Sequence, residues 1–180
     1  YSPLEGKMAN PEHVAIVRQG KDAIARWKKE NEDDYLDLSG ANLRGVDLSG
    51  ANLRGANLHG VDLSGAILDG VNLFEASLQG ADLRGAWLGD AELGHAYLSG
   101  ADLRGAILCN ATLHETNLEG ADMKGVDLTD AHSVEIHIPG ADLRGTSLAG
   151  INLQCSKGTP VADERTLQYI MNQREAYRLC

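Results

Sequence analysis

The chain has 180 residues, with 16 Lys and Arg against 26 Asp and Glu, a formal net charge of −10. Free nucleic acid and an anionic membrane would both be repelled, so neither is expected as a partner. Aromatics make up only 4% while glycine reaches 21 residues, which excludes a core built on large aromatic side chains. No apolar run approaches the length of a membrane span. Three scattered cysteines, Cys109, Cys155 and Cys180, do not make a disulfide framework and point to a reducing compartment, with the cytoplasm as the default.

Residues 1–9 stand apart as a leader or an appended remnant. They lack the basic start and apolar run of a secretory signal, and Met8 reads as the native start. Residues 10–35 predict a capping helix. Asn10-Pro11-Glu12 has the order of an N-cap, a proline at the first helical position and an early acid. Val14, Val17, Ile24 and Trp27 follow at helical spacing, Gly20 is a potential break, and Lys28-Lys29 suit the negative end of a helix dipole.

Residues 36–155 repeat every five positions without an insertion. The centres run from Leu38 to Leu153 in 24 units, and 21 of them are Leu; the exceptions are Met123, Ser133 and Ile138. The residue two before the centre is Ala in 15 units, and the residue two after it is Gly in 16. A helix would rotate successive centres by about 140° and smear them around its surface. A strand would throw them to opposite faces, because five is odd. A coil that turns a corner once per unit buries them together, with the centre and the small residue pointing in and Gly taking the corner at positive φ. Such coils stack into a solenoid.

The run of ADLRG, ANLRG and VDLSG units resembles the pentapeptide repeat proteins, whose pattern is A(D/N)LXX. The resemblance implies a right-handed quadrilateral parallel β-helix with four units per coil, hence about six coils here. Stacked about 4.8 Å apart, they give a rod of about 29 Å. A bare β-helix would expose its core and strand edges, so helical caps are expected at both ends. Residues 156–180 carry Leu167, Ile170, Met171, Arg174 and Tyr177 at amphipathic spacing. That helix either caps the last coil, leaving a monomer, or pairs with a second copy in a homodimer.

With 20 residues per coil, positions n and n+20 stack and the repeat sorts into four sides. Side one, centred on Leu38, Leu58 and so on, has Gly at every corner and little charge. Side two stacks Asn42, Asp62, Asp82, Asp102, Asp122 and Asp142 beside Arg44, Ser64, Arg84, Arg104, Lys124 and Arg144, a neutral ladder of ion pairs. Side three stacks Asp47, Ile67, Trp87, Ile107, Asp127 and Ser147 outward, rimmed by Asp69, Asp90 and Asp130, with five acids and no base. Side four carries Phe74 outward and Glu75, Glu92, Glu115 and Glu135 against Arg54. An apolar strip rimmed by acids either marks a partner site or is three side chains that stack and shed water on their own.

No phosphate loop, dinucleotide fingerprint or nucleophile elbow is present. His132, Glu135 and His137, with His114 and His95, are proper metal ligands by type, but outward side chains on a flat side splay apart. Cys109 has no base predicted beside it and reads as structural. Ser133 and Pro139 make residues 131–139 the weakest stretch of the repeat, with an open register. No enzyme activity, cofactor or metal is expected.

The resulting expectation is a non-catalytic protein–protein interaction scaffold. Ile67, Trp87, Ile107 and Phe74 are its candidate partner-binding anchors, and Asp47, Asp69, Asp90, Asp127 and Asp130 its steering acids toward a basic protein. The alternative comes from the resemblance: some pentapeptide repeat proteins mimic duplex DNA and bind DNA gyrase or another topoisomerase.

Overall fold

A computed structural model describes residues 8–154 and 160–178. The expectations for residues 1–7, for Cys155 and Cys180, and for the side chains of Met171, Arg174 and Tyr177 lie outside the described residues.

Residues 10–31 form two helices rather than one. α1 is Pro11–Arg18 and α2 is Lys21–Glu30. Asn10 caps the first by accepting the Glu12 N–H at 2.9 Å, and Gly20 breaks the run at φ 87°. Val17 and Ile24 are fully buried against the first coil. The first coil has no coil before it, so its outward-facing backbone groups need other partners. Side chains of the two helices provide them: His13 Nδ1 accepts the Asp37 N–H at 2.9 Å, Arg18 donates to Asn42 O at 3.1 Å, and Lys28 donates to Arg54 O at 3.2 Å.

From Asp37 onward every parallel bridge within the repeat joins residues 20 apart, as in Asp37↔Asn57 on side one and Ile67↔Trp87 on side three. The unit at Leu63 shows how. Its N–H donates forward to Asp82 O at 2.8 Å, while Asp62 donates back to Ala41 O at 2.9 Å. Gly65 donates forward to Arg84 O at 2.9 Å, and Ala66 closes the corner onto Leu63 O at 3.0 Å. That corner is a β-turn whose third residue, Gly65, has φ 65°, a conformation glycine adopts without strain. Each side is too short for more than one bridge before the next corner. Among the described residues, extended strands are therefore confined to β1 (His132–Val134) and β2 (Asn152–Gln154), which pair in parallel with His132 opposite Asn152. Residues 131–139 keep the register: Thr112 bridges His132 and Asn117 bridges His137.

The interior is aliphatic. Leu83 and Leu103 are at most 1% exposed, and Ala81 and Ala101 are equally buried beside them. Thr116, in a small-residue position, satisfies its buried hydroxyl by donating to Leu93 O at 2.9 Å. Beyond β2, Val161 bridges Asp142. α3 (Glu164–Arg178) then starts at Asp163, which accepts the Thr166 N–H at 2.8 Å, and buries Thr166 and Ile170. No helix among the described residues is long and apolar enough to cross a membrane.

Candidate binding face

The outward residue before each centre follows a local rule that composition alone does not reveal. Where it is Asp or Asn, its side-chain oxygen accepts the N–H two residues on. Asp47 caps Ser49 at 3.0 Å, Asn72 caps Phe74 at 3.0 Å and Asp127 caps Thr129 at 3.0 Å. Only an oxygen is required, which explains why Asp and Asn interchange at this position. The Ser49 and Thr129 hydroxyls add a second bond each, and these bonds hold the Asp47 and Asp127 carboxyls below the usual carboxylate range.

Side two applies the rule and then pairs the charge. Arg84 grips Asp82 with Nε at 2.8 Å and Nη2 at 2.5 Å, and Arg104 and Arg144 grip Asp102 and Asp142 in the same way. Rungs are linked, Arg84 to Asp102 at 3.7 Å and Lys124 to Asp142 at 3.3 Å. The arginine hydrogen bonds hold Asp82, Asp102 and Asp142 below their ordinary pKa and raise the arginines. From Asp82 to Arg144 the charge on this side is paired internally.

Side three abandons the rule in its middle. Ile67, Trp87 and Ile107 bridge one another directly, at 37%, 53% and 36% exposure, so they form one continuous apolar strip. None can cap its own turn. At Trp87 the loss is repaired from the coil below: Asp69 reaches along the side and accepts the Gly89 N–H at 2.9 Å. A Cβ at Gly89 would stand 2.9 Å from the Asp69 carboxylate oxygen, so a larger residue there would push Asp69 off this bond. Asp47 and Asp127 lie in line with the strip, one rung beyond each end. Asp90 and Asp130 hold left-handed corners at φ 56°, which Asp tolerates better than most residues. Cys109 sits beside the strip, half-buried, with its thiol pushed up by burial and by the Asp127 carboxylate.

The pentapeptide repeat family model matches 8 copies across residues 36–70, 52–90 and 91–130. The chain belongs to the pentapeptide repeat family. Pentapeptide repeat proteins adopt a right-handed quadrilateral β-helix and generally act as non-enzymatic interaction proteins. Similar solved structures include a pentapeptide repeat protein from the Arabidopsis thaliana thylakoid lumen, 34% identical over 51% of this chain and 68% of its own, TM-score 0.44. HetL of the cyanobacterium Nostoc, involved in heterocyst differentiation regulation, is 32% identical over 67% of this chain and 69% of its own, TM-score 0.27. QnrB1, a plasmid-mediated fluoroquinolone resistance protein, is 21% identical over 73% of this chain and 84% of its own, TM-score 0.33. The chain matches no curated protein sequence.

Phe74 does not join the strip of this pentapeptide repeat protein. It lies on side four, half-buried under the Arg54 guanidinium at 4.7 Å, with the His95 ring edge-on at 5.1 Å and Gly94 beneath it. Of the five acids, Asp47 and Asp127 stand one rung beyond the ends of the strip and Asp69 is committed to Gly89. Two features escaped the sequence reading. Tyr97 is 49% exposed on side one, hidden in the pattern because a lone aromatic among polar neighbours looks unremarkable. Glu75, His95, Glu115 and Glu135 occupy left-handed corners on side four at φ 54–59°; their departure from Gly at the corner position was the available signal. His95 meets Glu115 at 3.5 Å. Among the described residues, no group of three His, Cys, Asp or Glu is placed to hold a metal.

Proposed function

We propose that this pentapeptide repeat protein is a scaffold of six coils, closed by helices at both ends, that docks a basic protein partner on side three. The observation that carries the reading is the exchange made at Ile67, Trp87 and Ile107. There the coil gives up the side-chain cap used on most other rungs and presents contiguous apolar surface to water instead. The coil does not need those residues, since its interior is the same beneath them. Contiguous exposed apolar surface is what a partner covers. Trp87, the largest and most exposed of the three, is the natural anchor. Asp47, Asp90, Asp127 and Asp130, with no base on the same side, supply complementarity to a basic rim and fast association.

The test is affinity capture from the native host with wild type, Trp87→Asp and a side-two control, Arg104→Ser. A partner retained by wild type and Arg104→Ser and lost by Trp87→Asp is the expected result. Equal retention by all three removes side three from the account. Gyrase supercoiling is expected to be unaffected; inhibition or protection by this protein would favour the DNA-like reading instead.

A further inference from the structure

The ladder ends at different heights on neighbouring sides. On side two it runs one step past Asp142: Leu143 donates to Val161 O at 2.7 Å, and Val161 donates to Ala141 O at 2.7 Å. On side three it stops at the unit containing Ser147. Ser147 donates to Val126 O at 2.9 Å, Leu128 donates to Ser147 O at 2.9 Å, and Asp130 donates to Ala149 O at 2.8 Å. Repeating that geometry once more identifies the next edge as the N–H groups of Leu148 and Gly150 and the C=O of Thr146. None of these three has a backbone partner among the described residues. α3 does not fill the step. Between it and this edge is a cleft of ≈ 980 Å³ lined by Ser147, Ala149, Asp163, Gln168, Tyr169 and Asn172.

We propose that this cleft receives an extended basic segment of a partner protein as an added parallel strand. Main-chain groups at ladder spacing select a polypeptide backbone over a small solute. Val161 shows that a lone extended residue after the repeat satisfies the equivalent edge next door. Charge sets the sign of the segment. The Asp130 carboxylate lies against Gly150, Asp127 is the bridge partner of Ser147, and Asp163 and Glu164 line the cleft, where the basic lining residue is Arg165. Asp163 stays ionised because it accepts the Gly145 and Thr166 N–H groups at 2.7 and 2.8 Å, which lowers its pKa. The cleft lies three rungs from Trp87 along side three, with Asp127 and Asp130 between the two sites, and α3 rather than the apolar strip forms its other wall.

Amide hydrogen exchange on the full chain tests this, with a short peptide of alternating Lys and Val as probe and a Glu–Val peptide as control. In the free protein, Leu148 and Gly150 are expected to exchange faster than Leu128 and Leu143, whose N–H groups are bonded. The Lys–Val peptide at about 1 mM slows both by at least about tenfold, and the Glu–Val peptide does not. Gln168→Trp and Asn172→Trp, which fill the cleft from exposed positions on α3, each abolish the protection. Trp87→Asp preserves it. Unchanged exchange at Leu148 and Gly150 overturns the proposal, as does equal protection by the Glu–Val peptide. Loss of the effect in Trp87→Asp would tie it to the strip and overturn it as a separate site.

Discussion

Sides two and three are built on the same interior and differ only outside. Under both, leucine centres and small residues are buried to within 3% or less from Ala81 to Leu108. Outside, side two gives Asp82, Asp102, Asp122 and Asp142 each a turn N–H and a base, and Asp62 a turn N–H and the Ser64 hydroxyl, so its carboxylates are satisfied by their own neighbours. Side three leaves its charge unpaired by any base of its own and interrupts the caps with Ile67, Trp87 and Ile107. The coil thus separates what makes it stable from what it presents. A side whose outward residues obey the local rule is a wall, and a side that replaces them with contiguous exposed apolar residues is where to look for recognition.

The largest expected effect tests the shared interior. Leu83→Ala under side two and Leu88→Ala under side three should each cost about 2–5 kcal/mol in denaturant unfolding, since both truncate a fully buried side chain. A cost confined to one of them would mean that the interiors differ. Acid comes next. Asp82, Asp102, Asp127 and Asp142 have folded pKa values held below the unfolded ones by hydrogen bonds. Their stabilisation is therefore complete above about pH 4 and lost as the pH falls further. Thermal unfolding between about pH 5 and pH 2 should show this, and Asp102→Asn should flatten the fall, because Asn keeps the turn bond but has no proton to gain.

A smaller effect sharpens the contrast most. Ile67→Asn restores the side-chain cap where side three lacks one, so stability should hold or rise by up to about 1 kcal/mol while capture of the partner weakens. Denaturant unfolding and capture measured on the same sample check both halves, and lost stability would show that the strip is structural. The smallest change is expected from Arg104→Ser on side two. Its guanidinium is half-exposed, so the unfolding midpoint should move slightly in low salt and not at all in high salt.

Much of the fold is legible because each unit repeats one instruction. Leu at the centre, Ala before it and Gly at the corner give the inside, the outside and the turn without reference to distant residues. The 20-residue step sorts the rest into sides, and Ile67, Trp87 and Ile107 fall together by that arithmetic. Phe74 could be assigned to side four in the same way. Its cover could not, because Arg54, Gly94 and His95 meet it only after three coils have stacked. The tie from Asp69 to Gly89 was hidden for a related reason: it substitutes for a cap that Trp87 cannot make, and that need exists only between stacked coils.

The period, the aliphatic interior and the residues on each side can be read from the amino acids in order, because these depend on local turn geometry and on keeping leucine from water. The stacking of coils settles which carboxylates are already engaged, how His13, Arg18 and Lys28 finish the first coil, and which backbone groups at the Ser147 unit lack a backbone partner among the described residues. Those outcomes depend on hydrogen bonds between segments distant in the chain. Such bonds are directional and form only when both partners arrive at the same place.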